Sequence, residues 1–117
     1  MHEFSIVSSL MALIEDFARK HNAQKVTKVV VGVGVLSGVE PDLLKIAFDT
    51  FKEGTICEEA ELVLEIEKVT VKCTDCGKES QPEGRFSRKC SHCGSLNTEI
   101  VKGQDLQLKS LEFEVED

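Results

Sequence analysis

Cys73-Thr74-Asp75-Cys76 and Cys90-Ser91-His92-Cys93 are two Cys-x-x-Cys knuckles separated by thirteen residues, and no other feature of the chain constrains its fold as tightly. Each knuckle places two sulfurs on one side of a tight turn. Two such turns facing each other close a tetrahedral four-sulfur cage that suits Zn²⁺. Gly77 and Gly94 follow the second cysteine of each knuckle, where the backbone often needs a positive φ. The rival arrangement, two disulfides, needs an oxidising compartment. Cys57 makes the cysteine count odd, which fits reduced thiols better than a disulfide framework. It reads as a small, partly buried side chain and is given no role.

A length of 117 residues suits one compact unit with a small satellite, and a metal clip would help hold that satellite together. The N-terminus has no basic stretch followed by an apolar run, and no segment is long enough to span a bilayer. A soluble, cytoplasmic protein with no membrane partner is expected. Formal net charge is −7, unevenly placed: residues 72–102 hold six Lys/Arg against four Asp/Glu, a surplus of two positive charges, so the rest carries nine excess negative charges. Four thiolates around Zn²⁺ carry a net charge of about −2, which brings the cysteine segment near neutrality. Zinc ribbons that bind nucleic acid usually present a basic surface. With an acidic body, no Trp or Tyr and six Phe, platforms for stacking bases are scarce, and no nucleic-acid partner is expected.

The spacing of Ile6, Val7, Leu10, Met11, Ile14, Phe17 and Ala18 predicts a helix from about Glu3–Ser5 to Asn22, with Ser5 as candidate N-cap and Lys20 and His21 in the last turn. Val26, Val29, Val30, Val31, Val33 and Val35 predict a strand. A second helix is expected from Pro41 to Glu53, opened by proline and stopped by Gly54, with Leu43, Leu44, Ala47, Phe48 and Phe51 as its apolar face. A strand over 61–72 changes phase near Lys68, as a bulge or a passage between domains would require. A last strand is expected over 104–115, and the zinc segment interrupts two strands that pair or share one sheet. The expected class is α+β: a small mixed sheet of about three strands with two helices, plus an inserted zinc-ribbon-like domain. The body of that plan is residues 1–71 with 103–117, and the zinc-binding domain is 72–102. Gly32-Val33-Gly34 with Gly38 is a poor nucleotide fingerprint, because no helix opens at the second glycine; glycines easing a strand into a loop account for it.

A four-sulfur zinc site is coordinatively closed and therefore structural. No Ser-His-Asp order, no Cys-His pair and no His-Glu-x-x-His accompanies the three histidines His2, His21 and His92, so no enzyme is expected. The two Cys-x-x-Cys pairs face each other, unlike a redox pair at a helix N-terminus. The remaining feature is Met1-His2-Glu3. Histidine is too large for Met1 to be trimmed, so the His2 imidazole, the His2 backbone nitrogen and the Met1 amine can share one chelate, with the Glu3 backbone nitrogen as fourth corner. Four nitrogens in a plane suit Ni²⁺ or Cu²⁺. The plainer alternative is a polar terminal residue.

Met1-His2-Glu3-Phe4-Ser5, Val30-Val31-Gly32-Val33-Gly34 and the late paired knuckles, in this order and at this spacing, resemble the HypA/HybF family of hydrogenase nickel-incorporation proteins over essentially the full length. The resemblance implies a nickel metallochaperone that helps deliver Ni²⁺ to the NiFe-hydrogenase large subunit together with the GTPase HypB. Some members also serve urease maturation, so a urease accessory protein is a further implied partner. It implies nickel held by His2, with Met1 and Glu3 contributing nitrogens in the body (1–71 with 103–117), and structural zinc held by Cys73, Cys76, Cys90 and Cys93. Members with histidines just outside the knuckles are thought to alter their zinc shell; this chain instead has His92 inside the second knuckle, read as a solvent-facing residue. Glu40, at the head of the second helix, is either an extra carboxylate near nickel or helix-start decoration. The alternative to the metallochaperone is a zinc-ribbon interaction or nucleic-acid-binding module using Arg85, Arg88 and Lys89.

Overall fold

The computed structural model describes residues 2–84 and 87–115, and of His2 the backbone alone. The first element is helix α1, His2–Lys20. It exists because Val7, Leu10, Met11, Ile14 and Ala18 fall on one face, and all five are buried. Glu3 in its first turn and Arg19 and Lys20 in its last suit the helix dipole. The helix begins at His2, so Ser5 lies inside it and is not its N-cap. Its end is set by Asn22, whose φ of 55° turns the chain left-handed, a conformation asparagine tolerates better than other side chains. His21, just past the helix, donates its Nδ1–H to the Phe17 carbonyl at 3.0 Å.

Strand β1, Ala23–Gly34, starts three residues before the valine run and buries Val26, Val29, Val31 and Val33. Helix α2, Pro41–Phe51, follows Glu40, whose extended backbone makes no side-chain cap; proline opens the helix and Leu44, Ala47 and Phe48 are its buried residues. It closes two residues earlier than expected, with the Lys52 N–H on the Phe48 carbonyl at 2.9 Å, and Gly54 then adopts a φ of 75°. α1 packs on α2, with the rings of Phe4 and Phe51 5.4 Å apart.

The segment expected as one strand over 61–72 is two. β2, Glu61–Glu67, joins a sheet of order β2-β1-β6, and β3, Thr70–Cys73, joins another of order β4-β3-β5. The phase slip at Lys68 is thus a passage between sheets. β6, Leu106–Val115, lies in the sheet of β2 with β1 between them. β4, Glu79–Ser80, and β5, Thr98–Lys102, pair antiparallel with β3, Lys72 opposite Glu79 on one side and Cys73 opposite Thr98 on the other. Two helices and two three-stranded sheets among the described residues make an α+β fold. Among the described residues no helix is long and apolar enough to cross a membrane.

The backbone forms two compact units. The first contains α1, β1 up to Val31, Val39–Glu65 and β6 from Gln107; the second contains Gly32–Gly38 and Ile66–Leu106. Within the second, the N–H groups of Gly34, Val35 and Leu36 donate to the carbonyls of Asp105, Glu67 and Gly103 at 2.9, 3.0 and 2.8 Å. A Cβ on Gly34 would stand 2.3 Å from the Gly103 oxygen, so that approach requires glycine. Gly32 and Gly34 therefore belong to a strand and its exit, and no helix opens there.

Candidate metal centre

β3 delivers Cys73 at its last residue, and the chain then turns through the first knuckle into β4. The Cys73 N–H donates to the Lys78 carbonyl at 3.0 Å and the Gly77 N–H to the Cys73 carbonyl at 2.9 Å. The second knuckle repeats this pattern: the Cys90 N–H donates to the Ser95 carbonyl and the Gly94 N–H to the Cys90 carbonyl, both at 2.9 Å. Gly77 and Gly94 have φ of 75° and 78°, the left-handed turn expected after each pair.

The four sulfurs of Cys73, Cys76, Cys90 and Cys93 lie within 4.8 Å of one another, with Cys73 and Cys93 3.5 Å apart and Cys76 and Cys90 3.7 Å apart. A tetrahedron with Zn–S bonds of about 2.3 Å has edges of about 3.8 Å, so the cage has the size zinc needs. All the cysteines are free thiols. Cys73 and Cys90 are buried, while Cys76 and Cys93 form an exposed edge.

Backbone dipoles prepare half of the cage for ionisation. The Cys76 N–H, 3.4 Å from the Cys73 sulfur, holds the Cys73 thiol below its ordinary value. The Cys93 N–H, then that of His92 at 3.4 Å, bring Cys90 down to about 6. At Cys76 the Lys78 N–H favours the thiolate, but desolvation and the Cys90 and Cys73 sulfurs outweigh it and the thiol is raised. At Cys93 the Ser95 N–H is likewise outweighed, by the Cys73 sulfur, desolvation and Cys90, and the thiol stands at about 12. Four thiolates this close repel one another, and a bound dication removes that penalty. The donor set, its spacing and its N–H···S bonds therefore fit Zn²⁺.

Polar side chains tie the knuckles together, and these ties were missed in the sequence. Asp75 accepts from Ser95 Oγ and, at 3.2 Å, from Asn97 Nδ2, and the Ser95 bond holds its carboxyl below the usual carboxylate range. Ser91 N–H donates to Ser80 Oγ at 3.1 Å, and His92 Nε2 to the Glu79 carbonyl at 3.2 Å. His92 is exposed and lies outside the four-sulfur set. The available signal was the Asp, Ser and Asn content of the two turns. Arg88 donates to the Thr98 carbonyl at 3.0 Å and Thr98 Oγ1 to the Arg88 carbonyl at 2.6 Å, which fixes the approach to Cys90 against β5. Arg85 lies outside the described residues.

Of the expected nickel ligands, Met1 lies outside the described residues, His2 opens α1 with only its backbone described, and Glu3 is half-buried in the first turn. Glu40 is exposed ahead of α2.

A family model for hydrogenase/urease nickel incorporation, metallochaperone, hypA, matches residues 1–113. The hydrogenase maturation factor HypA of Aquifex aeolicus (strain VF5) is 66% identical over 116 residues, 99% of this chain and 100% of the relative. That of Wolinella succinogenes is 47% identical, over 100% and 98% of the two chains. Among solved structures, the Ni metallochaperone HypA from Helicobacter pylori in solution superposes with a TM-score of 0.72 at 40% identity, covering 97% of this chain and 98% of its own. A second solution structure of HypA protein gives 0.77 at 41%, covering 99% and 98%. The knuckles, the α+β body and the full-length match together make this chain a member of the HypA family of hydrogenase and urease nickel-incorporation metallochaperones.

Proposed function

We propose that the chain carries Ni²⁺ at its N-terminus, bound by the His2 imidazole with nitrogens of Met1 and Glu3, and hands it to the NiFe-hydrogenase large subunit in concert with the GTPase HypB. Urease accessory machinery is a second destination. The reading is supported above all by the match of the family model from residue 1 through residue 113, which includes the Met-His-Glu opening. The family is one of maturation factors, and the role assigned here is transport of an ion without catalysis, in the cytoplasm.

The division of labour follows from coordination chemistry. Cys73, Cys76, Cys90 and Cys93 would hold Zn²⁺ in residues 72–102, and four thiolates leave that metal no open position. Bound there, zinc supplies a crosslink and no reactive site. The cargo therefore needs other ligands, in the body formed by residues 1–71 with 103–117. Helix α1 opens at His2, and the first four N–H groups of a helix have no acceptor within it. The amide nitrogens of His2 and Glu3 would therefore release their protons to solvent and coordinate nickel without breaking a helical hydrogen bond. A planar nitrogen set also discriminates against zinc, which prefers a tetrahedron. The positive end of the helix dipole opposes a cation at this position, which assists release. The acidic body suits a basic face on the receiving partner and speeds encounter.

The test is calorimetric titration of Ni²⁺ into the untagged chain and into His2→Ala. The variant is expected to lose nickel binding while its zinc content and helical circular dichroism match the parent. Equal nickel affinity in the two proteins removes His2 from the site.

A further inference from the structure

We infer that Asp75 and Asn97 are positioning residues of the four-sulfur centre, clamping its exposed edge shut and setting how slowly the metal leaves. The inference rests on the zinc reading of the cage. Zinc bound there is shielded by Cys73 and Cys90 on the buried side, and Cys76 and Cys93 are the exposed pair. Release to solvent must begin where a thiolate can swing away, at that exposed edge.

The clamp spans the edge. Asp75 directly precedes Cys76, and Ser95 follows Cys93 by two residues. Ser95 Oγ and Asn97 Nδ2 both donate to Asp75 Oδ2. Asn97 is held in turn from the first knuckle: Thr74 N–H and Thr74 Oγ1 each donate to the Asn97 carbonyl at 2.9 Å. The Asn97 N–H closes the loop onto Ser95 Oγ at 3.0 Å. Every one of these bonds joins groups of the two knuckle turns and their exits, and none involves a metal. The opposite stitch, from Ser91 and His92 to Ser80 and Glu79, has no carboxylate. Hydrogen bonds to an ionised acceptor are the stronger kind, so the Asp75 side of the cage holds harder. The cluster is exposed, and water competes for each bond, which puts its contribution at the low end for groups that support metal ligands.

The experiment uses the full zinc-loaded chain and follows metal transfer to excess 4-(2-pyridylazo)resorcinol. Asp75→Ala is expected to release zinc about tenfold faster than the parent, and Asn97→Ala faster by a smaller factor, because the Ser95–Asp75 bond remains. The double variant is expected to be no faster than Asp75→Ala, because both substitutions remove one shared interaction. The Co²⁺-substituted variants should keep the thiolate charge-transfer and ligand-field bands of the parent, since all four sulfurs remain. Release at the parental rate in Asp75→Ala, or accelerations that multiply in the double variant, overturns the clamp. If Asp75→Ala does not fold, Asp75→Asn decides: it keeps an acceptor oxygen but loses the charge, so an intermediate rate supports the clamp and a parental rate overturns it. A parent chain that holds no zinc and shows no Co²⁺–thiolate spectrum fails the zinc reading itself, a result separate from any rate.

Discussion

Cys57 is fully buried, and burial, helped by the Glu15 carboxylate and partly offset by Lys52, pushes its thiol up from 9.0 to about 11. The folded chain therefore holds this proton more tightly than the unfolded chain. Below 9.0 the contribution is fully present; as pH rises through about 11 it is lost, at a cost on the order of 2 kcal/mol. Urea midpoints at about pH 8 and about pH 10.5 should thus fall further for the parent than for Cys57→Ala. Identical falls would show that the thiol does not titrate differently on folding. At this scale the sequence was a good guide to chemistry and a poor one to caps. It named the four cage cysteines and set Cys57 apart from them. It placed an N-cap at Ser5, whereas α1 starts at His2, because an apolar stripe marks the face of a helix and leaves its first turn undefined.

At the scale of elements, the least legible piece was the stretch around Gly34 and Gly103. Gly103 has a φ of 100°, and a Cβ there would lie 2.8 Å from Val69 Cα and 3.0 Å from the Lys68 oxygen. Gly103→Ala should cost about 2–3 kcal/mol from strain alone, read as a lower urea midpoint; an unchanged midpoint would mean that the backbone relaxes freely at this turn. Helix α1, β1, α2 and the last strand were all visible from periodicity, since each carries its own repeat. β4 and β5 were not, because they are short strands whose reason to be extended is pairing with β3, and pairing partners leave no local signature. The strand over 61–72 was visible as a strand with a slip. Only its partners show that Glu61–Glu67 and Thr70–Cys73 belong to different sheets.

Over the whole molecule, the two units differ in what holds them together. The first gathers Val7, Ile14, Val26, Val29, Leu44, Phe48 and Leu62 into an apolar core from two helices and a sheet. In the second, the buried side chains among the described residues are Val33, Val69, Thr70, Val71, Cys73, Cys90 and Thr98, and two of these seven are cage ligands. So small a core would gain much of its stability from a metal crosslink. Cys73→Ser is accordingly expected to speed amide exchange across β3, β4 and β5 while α1 and α2 keep their protection, a pattern read residue by residue by NMR. Loss of protection in both helices as well would show the chain to be one cooperative unit.

The sequence alone settled what local spacing can settle. Two knuckles at this separation require a four-sulfur centre, a helical stripe requires α1, and the ordered set of Met-His-Glu, glycine-bearing strand and knuckles led to the family. The tertiary structure decided what depends on residues far apart in the chain. It joined Gly32–Gly38 to the cysteine-bearing unit, laid β1 between β2 and β6, and bonded Asp75 to Ser95 and Asn97 across more than a whole knuckle. The reason is the reach of each interaction. Turn propensity, dipole and periodicity act within a few residues and are written in order along the chain, whereas a hydrogen bond between two knuckles or a backbone approach that admits only glycine exists only after folding has brought distant residues together.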